Sequence, residues 1–376
     1  MSYCLTELKY NYTQMTKIWI LWDGQLWQLT VDAAKSMWYQ TIVYGDGWKE
    51  SPAGQVSDII ASCWYDEKCK NIQKFIATKP DIVSSEWENI PTKLIKKIEE
   101  GWLPVKPQRN IFEVIQNRIT EKTTINNAGA TTAYFQEVNN ITDLQKAYKE
   151  LWDGILKTTT QGYDGKWQAR IYSNTNKENI IESFKWAQLI YEKMIDFKIE
   201  ISVIVWRRKS GEMIAFEPAE NIHENWILKT TITPCRIDKN ISEKAKEIAM
   251  NITESMWVEW LLSVEMFVLD NGKILINELA PRPHNSWHAT IESYNQSQYN
   301  ILIKAILDEP FEELKITSKT VMHNLLWNDI LSIPGRDNKN YSRKITQVWN
   351  KVYYDYWKKD IKKWRKMWHI VIWKNK

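Results

Sequence analysis

Glycine is scarce in this chain and tryptophan is abundant. The 376 residues include 12 glycines and 22 tryptophans, whereas average usage predicts about 26 glycines in a chain of this length. Glycine normally occupies positions where the backbone angle φ is positive or where the backbone closely approaches a phosphate. An indole side chain meets neither need, so tryptophan is an unusual residue for the turns and ligand loops of this sequence.

Several features that mark whole classes of protein are also missing. The cysteines Cys4, Cys63, Cys69 and Cys235 form no CxxC pair and no zinc-type spacing, which indicates a reduced, cytoplasmic protein. No apolar run approaches the roughly 20 residues needed to cross a bilayer, and the N-terminus lacks the pattern of a signal peptide. The charges nearly balance, with 50 Lys and Arg against 46 Asp and Glu. That balance does not favour nucleic acid as a partner, whereas phosphorylated metabolites are compatible with it.

The apolar pattern predicts an α/β protein of two or three structural units. A strand at 18–21, a turn, a helix at 25–37 and a strand at 41–44 form a βαβ opening. A second unit begins near Gln116 with a helix, and a strand at 155–157 then leads into the glycine-dense loop 161–168. Such a loop is typical of a mobile lid over nucleotide phosphates. Strands at 200–205 and 263–269, helices at 242–256 and 296–306, and short strands from about 315 are expected to follow.

The most informative segment reads Ile-Asn-Glu-Leu-Ala-Pro-Arg-Pro-His-Asn-Ser-Trp, at 276–287. Its two prolines restrict φ on either side of Arg282 and so present the guanidinium in a set direction. Asn277 and Glu278 offer the oxygen ligands that Mg²⁺ prefers. His284 and Asn285 add further donors and acceptors in the same turn. A purely structural loop seldom holds this density of functional groups, so we infer a loop that binds metal and substrate.

This segment resembles the metal- and substrate-binding stretch of the 5-(carboxyamino)imidazole ribonucleotide synthases, which are ATP-grasp carboxylating ligases of purine biosynthesis. The resemblance extends over residues 17–370. It implies an α/β ATP-grasp fold with an N-terminal Rossmann-like (pre-ATP-grasp) βαβ unit and a small C-terminal β-rich unit. The implied boundaries are an N-terminal extension at 1–16, a substrate-binding domain at 17–115, an ATP-grasp domain at 116–310 with a lid at about 120–190, and a C-terminal domain at 311–376.

The resemblance also implies a reaction. ATP, bicarbonate and 5-aminoimidazole ribonucleotide would give the carboxyamino ribonucleotide, ADP and phosphate through carboxyphosphate, with Mg²⁺ as the metal and a homodimer as the assembly. Two alternatives stay open. Another ATP-grasp ligase, such as a formate-dependent ribonucleotide transformylase, would use a different acceptor. A nucleotide-binding protein without catalysis would be the correct interpretation if the tryptophans are real.

The implied ATP site begins at the helix and strand of the second unit. Arg118, Lys157 and Lys166 would supply positive charge to the phosphates, and Glu200 would bind the ribose. Residues 193–194 depart from the family's acidic–aromatic pair, so the adenine pocket is expected to differ in detail. The implied ATP-binding residues are Arg118, Lys157, Gly162, Tyr163, Asp164, Gly165, Lys166, Gln168, Glu192, Ile195, Glu200, His223, Asn277 and Glu278.

Glu265 and Glu278 are the predicted Mg²⁺ ligands. They lie on two strand-like segments joined by a turn at 270–272. An antiparallel hairpin would place both carboxylates on one face, close enough to share cations between phosphates. Two buried carboxylates without a cation would repel each other, which makes a purely structural pair unfavourable.

The implied ribonucleotide site draws residues from all three units. Lys358 and Arg365 suit a sugar phosphate. Tyr163 and Lys358 are candidates for positioning or deprotonating the amine, and Arg282 is the third catalytic candidate. The implied substrate-binding residues are Gly24, Gln25, Leu26, Glu86, Arg282, His284, Asn285, Lys358 and Arg365.

Many tryptophans stand where the family has glycine. These fourteen positions are Trp19, Trp22, Trp27, Trp38, Trp152, Trp167, Trp226, Trp257, Trp260, Trp287, Trp327, Trp357, Trp364 and Trp368. We hypothesise that the sequence is a conceptual translation in which a reassigned stop codon, such as UGA, was read as tryptophan although the host reads it as glycine. The alternative is a tryptophan-rich protein whose indoles stack on bases. Real indoles at 22, 27, 167 and 287 are expected to strain left-handed turns by about 1 to 3 kcal/mol each.

Overall fold

The chain has the mixed α/β organisation that the sequence predicts. The computed structural model describes residues 16–21, 24–45, 48–62, 76, 79–85, 87–160, 167–184, 187–326, 329, 346–348, 350–356, 358 and 365–373. Of the predicted N-terminal extension at 1–16, only Thr16 lies within these ranges.

The N-terminal unit is built on a parallel sheet in the order β3-β2-β1-β4-β5. Its elements are β1 (Lys17–Leu21), α1 (Gln25–Ser36), β2 (Gln40–Gly45), β3 (Ile59–Ser62), β4 (Ile82–Ser85), α2 (Thr92–Glu100), β5 (Val105–Lys106) and α3 (Arg109–Ile115). β1 is apolar after Lys17, from residue 18 to Leu21, because both faces of a parallel sheet are covered. Ile18 and Ile20 join one hydrophobic cluster, whereas Trp19 and Leu21 join another. α1 starts just beyond the carboxyl end of β1, where parallel sheets place their ligands.

The predicted lid region contains an antiparallel sheet in the order β6-β9-β7-β8. Its elements are α4 (Arg118–Asn127), β6 (Phe135–Val138), α5 (Ile141–Leu151), β7 (Gly154–Thr158), β8 (Gln168–Ile171), α6 (Lys177–Ser183) and β9 (Leu189–Lys193). α5 buries Leu144 and Ala147, which lie three residues apart on one helical face. A Cβ atom at Gly154 would lie 2.5 Å from the Glu192 carbonyl oxygen, so the close approach of β7 to β9 requires glycine there.

A large antiparallel sheet crosses the predicted domain boundary at residue 310. Its strand order is β15-β14-β10-β12-β13-β16-β19-β18-β17, and β11 pairs with β10. The strands are β10 (Ile199–Arg207), β11 (Met213–Ala215), β12 (Ala219–Glu224), β13 (Ile227–Thr233), β14 (Trp260–Val268), β15 (Ile274–Ala280), β16 (Thr320–Leu326), β17 (Thr346–Val348), β18 (Lys351–Asp355) and β19 (Lys366–Trp373). β16 pairs with β13. The C-terminal strands therefore extend the central sheet and satisfy the backbone groups at its edge.

Three helices accompany this sheet, namely α7 (Lys239–Ser255), α8 (Thr290–Ser293) and α9 (Gln298–Ile306). α7 and α9 both pack against β10 and β14. No helix among the described residues is long and apolar enough to cross a membrane. Cys235 is a free cysteine, and the other three cysteines lie outside the described ranges.

Candidate active site

The β14–β15 hairpin brings the two predicted metal ligands together. Glu265 on β14 lies directly opposite Glu278 on β15, which confirms the predicted hairpin geometry. The pairing contains a bulge, because Met266 lies opposite Ile276 and Asn277 is left as an extra residue in β15. The Asn277 amide nitrogen lies 3.5 Å from a Glu265 carboxylate oxygen. The bulge therefore leaves Asn277 beside Glu265 while Glu278 stays opposite it.

The two carboxylates differ in environment. Burial tends to raise the pKa of Glu265, but the hydrogen bond from His284, together with the positive charge of Arg282, outweighs burial and lowers this pKa to about 2. Glu278 keeps a solvent-exposed surface, but protein groups lie around its carboxylate. Desolvation by these groups, followed by the charge on Glu265, raises the pKa of Glu278 to about 7. A cation between the two groups would relieve this repulsion.

The donor set fits Mg²⁺. This ion commonly binds one or two carboxylates together with substrate phosphates and water. No group of three or more His, Cys, Asp or Glu side chains suited to a metal ion occurs in the described part of the chain. Phosphate oxygens and water would therefore have to supply the remaining ligands beside Glu265 and Glu278.

A buried hydrogen-bond chain orients Glu265. His284 Nε2 lies 2.8 Å from Glu265 Oε1, and His284 Nδ1 lies 2.6 Å from Ser286 Oγ. Ser286 Oγ lies 2.9 Å from Ser202 Oγ, which also accepts a hydrogen bond from the Asn221 amide at 3.0 Å. The hydroxyls can therefore donate in sequence toward Nδ1, which assigns the His284 proton to Nε2. Burial lowers the pKa of His284, in agreement with a neutral ring that donates to Glu265.

Both ring nitrogens of His284 are thus engaged by protein groups. The predicted contact of His284 with the substrate stays a prediction. Ser202 and Asn221 lie on β10 and β12, far from the motif in the chain, so the sequence pattern did not indicate them.

Arg118 and Lys157 approach each other at the start of the lid region. Arg118 Nη1 donates to the Thr158 carbonyl oxygen at 2.8 Å, one residue after Lys157. Lys157 Nζ donates to Glu192 Oε2 at 2.9 Å. Gln168, the first residue of β8, lies opposite Lys157. The structure therefore brings the described phosphate-binding candidates together. The rest of the predicted loop, Gly162, Tyr163, Asp164, Gly165 and Lys166, lies outside the described residues.

Two buried charged residues on α4 were not among the predicted site residues. Lys122 Nζ lies 3.3 Å from Glu192 Oε2 and 3.1 Å from the Asn277 carbonyl oxygen. Glu121 Oε1 accepts a hydrogen bond from the Leu279 N–H at 2.6 Å. Glu121 and Lys122 lie three and four residues after Arg118, a spacing that places side chains on one helical face and could have indicated them.

Glu192 is held by two lysines. Its burial tends to raise the pKa, but the charges of Lys122 and Lys157 outweigh burial and lower the pKa of Glu192 to about 2. The carboxylate is 5% exposed. The Glu192 side chain thus forms ion pairs with both lysines, and its predicted contact with adenosine stays a prediction.

The predicted ribose ligand Glu200 pairs with His223. Glu200 Oε2 lies 2.9 Å from His223 Nδ1 across neighbouring strands. Burial tends to lower the pKa of His223, but the hydrogen bond and charge of Glu200 outweigh burial and raise it. Ile195 lies in the partly buried segment between β9 and β10. These three residues border the lid and the central sheet, as expected for a nucleotide site between them.

The predicted substrate residues meet at the start of α1. Gln25 Nε2 donates to Asn285 Oδ1 at 3.3 Å, and Lys358 Nζ contacts the Gln25 amide oxygen. Gly24 is the N-cap of α1. The Leu26 side chain is 3% exposed, so Leu26 can meet a ligand chiefly through its backbone N–H in the first helical turn.

Arg282 is held by an acidic residue of the N-terminal unit. Its Nε lies 3.0 Å from Glu88 Oε2. Glu86, the predicted substrate ligand in the same acidic run, lies outside the described residues. Arg365 is partly buried immediately before β19. Glu88 is therefore an additional residue of the site, and its contact with Arg282 joins two units.

Tryptophan occupies most of the non-glycine positions that have positive φ in the described part of the chain. Nine non-glycine residues have positive φ in the described part of the chain, and six are Trp38, Trp102, Trp152, Trp167, Trp226 and Trp257. Five of these were predicted glycine positions, and Trp102 was not. The expected strain is found at Trp167, with φ 62°. It is absent at Trp27, which lies within α1, and at Trp287, which lies in a 3-10 turn, so the expectation of left-handed turns there is wrong.

Two helix ends show the pattern most clearly. After α1, Trp38 N–H donates to the Lys35 carbonyl and Tyr39 N–H to the Ala34 carbonyl. Trp257 has the same arrangement after α7, and so does Gly129 after α4. This is the Schellman motif, whose left-handed residue is usually glycine. The chain therefore uses tryptophan and glycine at equivalent positions.

The chain matches two family models. Residues 15–116 match the ribonucleotide synthetase preATP-grasp domain, and residues 123–299 match the ATP-grasp domain. The N5-carboxyaminoimidazole ribonucleotide synthase of Bacillus subtilis (strain 168) is 35% identical over 359 residues, which cover 95% of this chain and 91% of that protein.

Solved structures agree in fold. The N5-carboxyaminoimidazole synthetase from Staphylococcus aureus complexed with ADP is 31% identical, with a TM-score of 0.86 over 96% of this chain and 94% of that one. The Aspergillus clavatus enzyme in complex with ADP and 5-aminoimidazole ribonucleotide is 27% identical, with a TM-score of 0.84 over 96% and 94% of the two chains. Fold and sequence similarity agree, and the chain belongs to the N5-carboxyaminoimidazole ribonucleotide synthase family of ATP-dependent ATP-grasp ligases.

Proposed function

We propose that this chain uses ATP to join bicarbonate to the amine of 5-aminoimidazole ribonucleotide, giving N5-carboxyaminoimidazole ribonucleotide, ADP and phosphate in purine biosynthesis. One observation carries the proposal. The strand that bears Glu278 continues into a loop whose Asn285 contacts Gln25, and Gln25 in turn contacts Lys358. One strand and the loop that follows it therefore connect the proposed metal ligands with the residues proposed to bind the acceptor ribonucleotide. Family membership supports the choice of acceptor.

The first chemical step makes carboxyphosphate. A bicarbonate oxygen attacks the γ-phosphorus, the bond from this phosphorus to the bridging oxygen breaks, and ADP leaves with the bonding electrons. Arg118 and Lys157 stabilise the phosphate charge. Glu265 and Glu278 would hold Mg²⁺, which neutralises developing charge when bound. His284 keeps Glu265 ionised and oriented through its 2.8 Å contact.

The second step transfers the carboxyl group. The amine nitrogen attacks the carboxyl carbon of carboxyphosphate, the carbon–oxygen bond to phosphate breaks, and phosphate leaves as the amine loses one proton. Lys358 and Arg365 would bind the sugar phosphate. Tyr163 and Lys358 are the candidates for positioning the amine or accepting its proton, and Arg282, fixed by Glu88, would orient the reacting carboxyl group.

The test is ADP release with bicarbonate and Mg²⁺, measured with and without 5-aminoimidazole ribonucleotide. Strong stimulation by the ribonucleotide is expected. ATP turnover that does not depend on the ribonucleotide would indicate an ATP-grasp ligase with another acceptor, such as a formate-dependent ribonucleotide transformylase. Absence of any turnover would favour a nucleotide-binding protein without catalysis.

We also propose that the native chain carries glycine at many of the written tryptophans. The six tryptophans with positive φ support this, because a left-handed conformation costs an L-residue roughly 1–2 kcal/mol. Six such penalties rival the total stability of about 5–15 kcal/mol that holds an ordinary protein folded. Mass spectrometry of peptides from the native source tests the proposal. Glycine-sized residues at 38, 257 and 287 are expected, and tryptophan-sized residues there would overturn it.

The family resemblance also leads us to propose a homodimer in the cytoplasm. Analytical ultracentrifugation of the purified chain tests the assembly, since a dimer has twice the 44.7 kDa mass of one chain. Fractionation of source cells tests the location.

A further inference from the structure

The edge of the central sheet at β15 is covered by side chains. β15 ends the strand order of the sheet, so no strand among the described residues pairs with its outer edge, where residue 276 forms only an isolated bridge with residue 132. Unpaired backbone groups at an edge must find other partners. Ile276 N–H donates to the Thr131 carbonyl at 2.8 Å. The next two contacts along this edge come from α4 and lie on either side of Glu278.

Lys122 holds the residue before Glu278, and Glu121 holds the residue after it. Lys122 Nζ donates to the Asn277 carbonyl at 3.1 Å, whereas Glu121 accepts from the Leu279 N–H at 2.6 Å. Both side chains are nearly inaccessible, with exposures of 2% and 4%. Asn277 is also the extra residue of the bulge that sets Glu278 opposite Glu265.

We propose that Glu121 and Lys122 are positioning residues that clamp the β15 backbone around Glu278 and so set the separation of the two metal-binding carboxylates. This inference rests on the proposed function, in which Glu265 and Glu278 hold Mg²⁺. The clamp acts on the backbone groups of β15 and, in this proposal, contributes no ligand to the metal. Outer contacts of this kind typically change metal affinity by about 10- to 100-fold.

The clamp also connects the metal site to the lid region. Lys122 Nζ lies 3.3 Å from Glu192 Oε2 on β9, while the same Nζ reaches Asn277 on β15. One ammonium therefore ties the two sheets that border the nucleotide site. A change at Lys122 should weaken binding of metal and nucleotide together, whereas a change at Glu121 should chiefly weaken the metal.

The experiment measures Mn²⁺ affinity in the presence of a non-hydrolysable ATP analogue, by electron paramagnetic resonance of free Mn²⁺. Glu121→Ala is expected to weaken Mn²⁺ binding about 10-fold. Glu121→Gln should restore it, because the amide oxygen still accepts from Leu279 N–H. Thr123→Ala, at an exposed position of α4, should leave the affinity unchanged. Lys122→Met is expected to weaken both Mn²⁺ and the analogue, and thermal unfolding identifies variants that have lost their fold.

A Glu278→Gln variant separates the clamp from the function on which it rests. If Glu278→Gln leaves Mn²⁺ affinity unchanged, the proposed metal site itself is wrong. If Glu278→Gln weakens binding while folded Glu121→Ala binds normally, the metal site stands and the clamp is overturned. If Glu121→Gln binds as poorly as Glu121→Ala, the hydrogen bond to Leu279 N–H is not the cause, and the clamp is likewise overturned.

Discussion

Lys358 contacts the side chain of Gln25 although 333 positions separate them in the chain. Lys358 Nζ also donates to the Lys366 carbonyl at 2.7 Å, so the ammonium is held between α1 and β19. Gln25 is the first residue of α1, where backbone N–H groups are free to bind an anion. The contact places a cation from the C-terminal strands beside this helix start, which suits a sugar phosphate.

Lys358→Ala should separate acceptor binding from ATP chemistry. We expect ribonucleotide-stimulated ADP release to fall at least about 10-fold, because loss of a charged hydrogen bond costs about 1.5–3 kcal/mol, while turnover without the ribonucleotide survives. Steady-state kinetics with both substrates measures this. Lys351→Ala, at an exposed position of β18, is the matched control. Equal loss of both activities would contradict the assigned role.

Glu265→Gln should affect both activities. The amide keeps the size of the side chain but removes the negative charge that attracts a cation. We expect ADP release to fall by about 100-fold or more with and without the ribonucleotide, since metal-ion catalysis supplies several kcal/mol. Glu137→Gln, at an exposed site on β6, serves as the control. Near-normal activity of Glu265→Gln at ordinary Mg²⁺ concentrations would remove this residue from the metal site.

Glu192 should make the fold sensitive to acid. Its pKa is about 2 in the folded chain, whereas an unpaired glutamate has a pKa of 4.5. A carboxylate whose pKa is lower in the folded chain stabilises the fold at any pH above its unfolded-state pKa. This stabilisation is lost as the pH falls toward the folded-state pKa. We expect the free energy of unfolding to decline between about pH 4.5 and pH 2, as measured by urea denaturation.

Glu192→Gln should flatten that decline. The exposed Glu182 on α6 provides the matched substitution, Glu182→Gln, which should leave the pH profile unchanged. The same pH dependence in Glu192→Gln as in the parent chain would show that another carboxylate is responsible.

Trp38→Gly should stabilise the written sequence. Trp38 is 83% exposed and has a φ of 66°, so the substitution relieves a left-handed residue without opening a core cavity. We expect the free energy of unfolding to rise by roughly 1–2 kcal/mol. Trp257→Gly, at the equivalent end of α7, should behave alike.

Trp38→Ala is the control for backbone conformation. Alanine removes the indole but keeps the Cβ atom that disfavours positive φ, so most of the gain should be absent. Equal stabilisation by Gly and Ala would assign the effect to the exposed indole. Thermal and urea unfolding of the parent chain, Trp38→Gly and Trp38→Ala provide the comparison.

The hairpin carrying Glu265 and Glu278 was predictable because both strands and their turn are adjacent in the chain. Strand alternation then sets which side chains face each other. The bulge at Asn277 was not predictable from this pattern, since one extra residue in a strand has no fixed sequence signature here. The left-handed tryptophans were partly predictable, because helix ends such as those before Trp38 and Trp257 require glycine. Trp27 and Trp287 show the limit, since they lie in α1 and in a 3-10 turn, where φ is not positive.

The sequence by itself determined the family, the order of the structural units and the residues predicted to bind phosphate, metal and ribonucleotide. These depend on local patterns and on motifs whose members are neighbours in the chain. Only the tertiary structure decided that Glu88 holds Arg282, that Ser202 and Ser286 orient His284, and that Glu121 and Lys122 flank Glu278. Each of these contacts joins separate elements, and packing the sheets and helices together determines which buried polar groups become partners.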